Sequence, residues 1–311
     1  MNTIHQLASF RWGARRQSGV AFVLVMWVIA MLSVVLGSFA LIARTEAMQS
    51  KHLFDTTTAR YAAEAGLNLA VYGLSKSDPE QKWMADGRPY SVTFDDIQVE
   101  LTITDDSGKI DINAADSAGL KNLFVGAGVE EPQAEELADA IVDWRDPDDL
   151  SSLHGAERDD YRAVDLPYGP RNAPFETLSE IQQVLGMNYE LYSKIEPAIT
   201  MFSGRSTPSA AYAPIEALMA IPGMTLEQAQ QLIAQRQALA PGQLGQGNSG
   251  LMMPDGSPLM ADGGGLTYSV KSRASLPNGA STVLDATVRM GGMNSAGRPF
   301  VVLRWRDGEN S

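Results

Sequence analysis

The densest chemistry-bearing run in this 311-residue chain is Asp143-Trp-Arg-Asp146-Pro-Asp148-Asp149, followed by Gly155-Ala-Glu157-Arg-Asp159-Asp160-Tyr161. Eight acids and three arginines stand between residues 143 and 165. Calcium takes about 6–8 oxygen ligands from carboxylates and carbonyls, so a looped acidic run supplies the right donor type. Asp143, Asp146, Asp148, Asp149, Glu157, Asp159 and Asp160 are the candidate ligands. The EF-hand spacing is absent, and an acidic loop is most often a solvated surface. Paired carboxylates such as Asp146 and Asp148 are also the groups that acid–base catalysis or a hydrolytic metal would use. No Ser/His/Asp set, Walker loop or dinucleotide fingerprint accompanies them, and the other histidines, His5 and His52, precede His154 by a long interval. The expectation is therefore a protein that is not an enzyme.

Composition narrows the classes further. The formal net charge is −13, a poor basis for neutralising nucleic-acid phosphates. The absence of cysteine excludes a disulfide framework, a thiol nucleophile and any Cys-based zinc or iron–sulfur centre. With 44% hydrophobic and 20% charged residues, the chain is not globally disordered.

The elements that must position the acidic run begin with an uneven N-terminus. Arg11, Arg15 and Arg16 precede an uncharged, mostly apolar stretch from Gln17 to Ala43, longer than the roughly 20 residues a bilayer needs. The arginine bias places the N-terminus in the cytoplasm and the bulk of the chain outside it. A cleaved secretory signal and a plain single-span anchor both fit this pattern. A third reading follows from Thr57–Leu74, which lacks proline and is rich in Ala and Leu. Phe54, Tyr61, Ala65, Leu69 and Tyr72 recur there at helical spacing. One helix over 20–74 results, on the order of 80 Å long, its second half lying against a globular head.

Beyond it, Tyr90–Phe94 and Ile97–Thr104 read as strands, the second with Ile97, Val99, Leu101 and Ile103 in strict alternation. Lys109–Ile112 reads as a further short strand, and Leu266–Ala274, Thr282–Met290 and Phe300–Arg306 as three more. Strands on both sides of a long non-β interval predict one sheet interrupted by an insertion. The interval, 113–240, carries a repeat. Leu120, Leu123, Gly128, Val129, Ala134 and Leu137 recur as Ile215, Leu218, Gly223, Met224, Ala229 and Leu232, with a third copy at Leu178, Ile181, Gly186, Met187 and Ile195. Each copy predicts helix, Gly turn, helix, and resembles a helix–hairpin–helix unit. Such units often bind DNA phosphates, but these turns are flanked by Glu130, Glu131, Glu190 and Glu227, which repel them, so a structural hairpin is expected and no nucleic-acid partner. Residues 241–265, rich in Gly and Pro, read as a flexible connector.

Arg15-Arg16-Gln-Ser-Gly19 immediately before Val20-Ala-Phe22 resembles the leader of type IV pilin-class proteins. The resemblance implies cleavage by prepilin peptidase between Gly19 and Val20, methylation of the new amine, and retention of the helix as membrane anchor and filament core. Most such proteins carry Glu at the fifth mature residue, where this chain has Leu24. The mature amine is cationic near neutral pH and needs a carboxylate partner in an apolar bundle. Leu24 offers none to a subunit above, as befits the filament tip. This feature and the size of the head narrow the resemblance to the K-type minor pseudopilins of type II secretion systems.

What the resemblance implies is an α+β, pilin-like fold with a long N-terminal transmembrane helix, an antiparallel sheet and a large inserted all-α domain of helix–hairpin–helix-like units. The leader is 1–19, the helix 20–74, the first part of the sheet domain 75–112, the insertion 113–240, the linker 241–265 and the C-terminal strands 266–311. It also implies an inner-membrane, single-pass protein with a periplasmic head. Its partners would be I- and J-type minor pseudopilins, the major pseudopilin, prepilin peptidase and inner-membrane lipid, and its work would be initiating or capping the filament for protein export. Gly37 and Ser38 would allow close helix approach. The resemblance strengthens the calcium expectation, since K-type pseudopilins hold calcium in the inserted domain. A tip-type minor pilin of a type IV pilus and a plain membrane-anchored periplasmic binding domain are the alternatives.

Overall fold

The computed structural model describes residues 20–240, 243–244, 250–260, 264–291 and 298–308. The leader expected over 1–19 lies outside them. No proline interrupts residues 20–74, and they form one helix, α1 (Val20–Leu74). The chain divides into two units at Asp55. In the first, the apolar side chains of α1 are exposed from Val20 onward, and α1 is long and apolar enough to cross a membrane.

The second unit, from Thr56, contains the head. Five strands form an antiparallel sheet: β1 (Asp86–Phe94), β2 (Ile97–Asp105), β5 (Thr267–Ser275), β6 (Ser281–Met290) and β7 (Phe300–Gly308), in the order β1-β2-β5-β6-β7. The alternation expected in β2 is realised: Val99, Leu101 and Ile103 are buried with Val270, Ala274, Leu284, Ala286 and Val288. One face of the sheet thus meets the C-terminal part of α1.

That contact does not use the aromatic stripe the periodicity suggested. Tyr61 and Tyr72 are exposed, and α1 instead buries Ala59, Ala62, Ala63, Gly66, Leu67, Ala70 and Val71. Small residues let the helix backbone lie close to the strands. At Gly66 a β-carbon would stand 2.8 Å from Val99 Cγ1 and 2.9 Å from Leu101 Cδ2, where the core has no space to yield. Leu67 and Val71 then bury their full side chains, worth about 1.5–3 kcal/mol each.

Between β2 and β5 the chain makes its excursion. It holds the two-residue strand β3 (Ile110–Asp111), α2 (Ser117–Gly126), α3 (Glu131–Arg145), α4 (Arg158–Ala163), α5 (Tyr189–Ile195), the two-residue strand β4 (Ile199–Thr200), α6 (Ile215–Leu218) and α7 (Leu226–Ala238). The three repeats are three Gly turns inside one core. Gly128 (φ +91°) joins α2 to α3, Gly186 (φ +83°) joins a 3-10 turn at Leu178–Gln183 to α5, and Gly223 (φ +80°) joins α6 to α7. A side chain with Cβ is strained in that region, which explains the recurrent glycine. Leu120, Leu123, Leu137, Ile181, Ile195, Leu218 and Leu232 fill the common core.

Two expectations need correction. The strand expected over Lys109–Ile112 shortens to β3, which pairs in parallel with β4, not with the five-stranded sheet. Ile110 and Ile112 belong to the helical core, because chain beyond Asp105 turns away through a 3-10 turn. The connector is also not free over its described part. Leu251 and Leu259 are buried in the helical core, and Leu259 N donates to Leu251 O across a turn at Pro254–Ser257.

Charged groups tie the excursion to the sheet. Arg236 of α7, almost fully buried, donates to Ala210 O and to Asp86 O of β1, both at 3.0 Å. Arg88 pairs with Asp86 at 2.9 Å and donates to the Arg236 carbonyl at 3.1 Å. Burial lowers the Arg236 guanidinium to about 10, so it stays charged at neutral pH. Elsewhere, Glu196 receives Arg304 and Arg306 of β7 at 3.0 and 2.8 Å. Replacing Gly66 by Ala is expected to destabilise the head by about 1–3 kcal/mol through overpacking, read from the midpoint of guanidinium unfolding; an unchanged midpoint would show that the sheet yields at no cost.

Candidate functional site

The acidic run begins where α3 ends. Asp146 caps the helix in an extended conformation (ψ 159°), and Pro147 after it blocks further helix. The last turn of α3 buries Asp143 completely, and the following loop wraps back over it. Ser152 donates to Asp143 through its backbone N–H (3.0 Å to Oδ2) and its hydroxyl (2.5 Å to Oδ1). Gly155 passes so close that any β-carbon there would overlap the Asp143 carboxylate. α4 then starts after Glu157, whose N–H donates to Asp160 Oδ2 at 2.8 Å.

Glu157 is 6% exposed, and neither of its carboxylate oxygens has a hydrogen-bond partner; Asp146 Oδ1 is buried and partnerless as well. Burial first, then the charges of Asp143, Asp146 and Asp149, push the Glu157 carboxyl above the usual range. Burial, then Asp148 and Asp143, does the same to Asp146. Asp143, Asp146, Asp148, Asp149 and Glu157 therefore feel one another as a single cluster. Asp159 and Asp160 do not join it: Asp159 lies in solvent paired with Arg162 at 3.0 Å, and Asp160 holds the start of α4.

Buried carboxylate oxygens without donors are costly, and a cation is the group that would satisfy several at once. The donor set is all oxygen, which suits a hard cation. Among the described residues, no three His, Asp or Glu side chains stand close enough to hold a metal as they are. Like charges on neighbouring carboxylates favour separation.

The rim is stiffened by aromatic side chains that the sequence reading passed over. Trp144, beside Asp143 on α3, stacks on Phe175 (6.2 Å) and lies 6.0 Å from Tyr161 of α4. Its indole N–H donates to Glu180, which also pairs with Arg171. Tyr161 accepts from the backbone N–H of Leu185, next to the hairpin glycine Gly186. Asn172 donates to the Asp148 carbonyl (2.8 Å) and to Asp149 Oδ1 (3.0 Å). A tryptophan set between acids was a readable signal for the first of these; nothing local marks Asn172. His154 stands 3.9 Å from Glu135, with no serine or thiol aligned to it for nucleophilic chemistry among the described hydrogen bonds.

At the other end of the chain, Val20 is the first described residue, and Gly19 lies outside the described residues. Leu24 is 61% exposed in a run where every neighbour is apolar.

Residues 100–204, which span β2 and most of the helical excursion, match the family model for Type II secretion system (T2SS), protein K. Among curated proteins the chain is 26% identical over 205 residues to type II secretion system protein K of Klebsiella pneumoniae, covering 59% of this chain and 62% of that one. It is 33% identical over 123 residues to the protein of the same name from Pectobacterium carotovorum, covering 38% of this chain and 36% of that one. A third, from Dickeya chrysanthemi, is 20% identical over 283 residues, covering 72% and 78%. The matches thus span less than two thirds of the first two relatives. Among solved structures, the fold is similar to a chain of the GspK-GspI-GspJ complex from enterotoxigenic Escherichia coli, with a TM-score of 0.55, 19% identity, and coverage of 86% of this chain and 99% of that one. The segment that matches protein K thus runs from β2 into the helical excursion, with an apolar helix ahead of it, and the chain is similar to type II secretion system protein K in sequence and fold.

Proposed function

We propose that this chain is a minor pseudopilin of a type II protein secretion system that sits at the pseudopilus tip. It assembles with I- and J-type minor pseudopilins, starts or caps the filament of major pseudopilin, and supports export of folded proteins across the outer membrane. Before processing, the N-terminus lies in the cytoplasm and the head in the periplasm. Prepilin peptidase removes residues 1–19 between Gly19 and Val20, and the Val20 amine is methylated. This is scaffold work, with no catalytic role.

The observation that carries the tip reading is Leu24. An ammonium at Val20 needs an anionic partner within the apolar helix bundle, and a carboxylate at the fifth mature position of the subunit below would supply it. Leu24 supplies none, so a subunit stacked above would leave its own amine unpaired. The GspK neighbour was solved together with GspI and GspJ, which supports the choice of partners. Intact mass of the membrane-extracted protein is expected to fall by residues 1–19 with one methyl group added in the presence of prepilin peptidase. Immunogold labelling is expected at one end of each pseudopilus. An uncut N-terminus, or label along the shaft, would sink the proposal.

Asp143, Asp146, Asp148, Asp149 and Glu157 are proposed to hold calcium, with Glu157 and Asp146 offering their uncommitted oxygens. The ion would supply the positive charge that lets these carboxylates share one site, and so fasten the 146–157 loop between α3 and α4. Calcium at a hundredfold excess over its Kd is expected to stabilise the chain by about 2.7 kcal/mol, reversed by chelator. In chelator the sign at Glu157 is opposite. Its carboxyl is raised in the folded state, so the calcium-free protein is most stable below the ordinary glutamate range and loses stability as pH rises through the raised value. Glu157→Gln is therefore expected to raise the neutral-pH melting temperature in chelator and to abolish the calcium-induced rise. Lower stability in chelator would contradict the buried, unpaired charge.

A further inference from the structure

Helix α7 carries Gln228, Gln231 and Gln235 at a spacing of three and four residues, which sets all three along one side of the helix. They line a cleft of about 370 Å³ whose lining continues on the connector at Gly250, Met252, Met253 and Pro254. Met224 of the Gly223 turn and Leu232 of α7, both buried, give it an apolar base. The connector is held in place there: Leu251 and Leu259 are buried in the helical core, and the Met253 N–H donates to Ser257 O at 2.8 Å. Gln228 Oε1 accepts the Thr225 N–H at 2.9 Å and so serves the start of α7. Gln231 and Gln235 are exposed, and among the described hydrogen bonds their carboxamides have no protein partner.

The lining selects its ligand by chemistry. Among the described residues that line the cleft there is no acid, lysine, arginine or histidine, so nothing in it offsets the desolvation of an ion. There is no aromatic ring either, the flat apolar face on which a sugar ring stacks. What remains is two uncommitted carboxamides, each with an acceptor oxygen and two N–H donors, beside methionines. A peptide group presents the complementary pair, one N–H and one C=O. The helical rise sets Gln231 and Gln235 about 6 Å apart along α7, close to the roughly 6.8 Å between peptide groups that face the same way on an extended chain. The unbranched thioether of methionine adapts to side chains of varied shape. We propose that this cleft binds an extended, uncharged segment of a partner polypeptide laid along α7. Gln231 and Gln235 hydrogen-bond alternate peptide groups of that segment, and Met252 and Met253 pack against its side chains. The site depends on neither calcium nor a place at the filament tip.

The probe is a short fluorescein-labelled peptide of Ser, Thr, Gln and Val with both termini blocked, added to the full chain in detergent and followed by fluorescence anisotropy. The wild type is expected to bind it saturably. Gln231→Ala/Gln235→Ala, which removes two hydrogen bonds, is expected to bind about tenfold more weakly. Gln231→Glu/Gln235→Glu, of the same shape but without the amide donors, is expected to lose at least as much. Alanine and glutamate are both good helix formers, so the circular dichroism spectrum is expected to stay unchanged in each. Gln230→Ala, which lines a different cavity on α7, is expected to bind as the wild type does. The same peptide with every backbone nitrogen methylated is expected to bind far more weakly, because it has no N–H to give. Failure of the wild type to bind the parent peptide would overturn the proposal. Equal binding of the methylated peptide would overturn it by moving recognition to the side chains, and unaltered affinity in both double variants by moving the peptide elsewhere on the chain. Displacement of the peptide by maltohexaose would overturn it by marking the cleft as a saccharide site.

Discussion

The pairing of β2 with β5 is the constraint on which the head depends. It joins Asp105 to Tyr268 and Gln98 to Ser275, and every residue between the two strands must leave and return to adjacent strand ends. Closing a loop of that length costs about 4–5 kcal/mol in chain entropy, modest because the cost grows only logarithmically. What the excursion does at its base offsets it. Asp105 receives the backbone N–H groups of Ser107 (2.8 Å) and Gly265 (2.7 Å), so the outgoing and returning chains meet on one carboxylate. Asp106 accepts from Thr200 and Ser269, both at 2.6 Å, and pairs with Lys109. These buried polar groups are satisfied by one another, which is what allows them to be buried at all.

For buried carboxylate oxygens among the described residues, the rule is broken in one place. Two Glu157 oxygens at the head of α4 and one from Asp146 at the end of α3 are buried without donors, while at the base of the excursion the carboxylates of Asp105 and Asp106 find donors. The contrast is informative because both clusters belong to the same acidic chain. One is a closed network of donors and acceptors; the other is short of positive charge. Aromatic packing of Trp144, Tyr161 and Phe175 keeps the second cluster from simply opening into water, since moving α4 away would break that stack. The cost stays in the folded structure, as it does at sites where strain or unpaired charge serves a purpose.

Helix α1 illustrates two solvents acting on one element. From Val20 to Ala43 its side chains are exposed, uncharged and mostly apolar, fitting a surrounding that has no water to offer. From Ala59 onward the buried face is small, Ala and Gly, so that the backbone can approach the strands. Large residues at Gly66 or Gly73 would collide with Val99 and Leu101 in one case and with the Trp83 ring in the other. The tyrosines that looked like a packing stripe could not have served, because they would hold the helix away from the sheet.

The sequence by itself determined the parts that local chemistry controls. Uninterrupted helix from 20 to 74 follows from length, apolarity and the lack of proline; β2 follows from strict alternation; the three turns follow from glycine at equal places in three copies of one pattern, each of which takes a positive φ. The run Arg15–Gly19 that resembles a pilin-class leader, and Leu24, stand out in the sequence with no fold needed. Tertiary structure alone decided which face of α1 packs, since several stripes on it are compatible with burial and only the one matching the sheet surface is used. It also decided that Lys109–Ile112 leaves the sheet for β4, a partner some 90 residues away that no local pattern announces. At the acidic loop the sequence supplied seven candidate carboxylates, and the fold drew five of them into one field while committing Asp159 and Asp160 elsewhere. Asn172 and the burial of Glu157 were invisible beforehand for the same reason. Both depend on chain brought from far along the sequence, and distance through space is the one quantity a sequence does not carry.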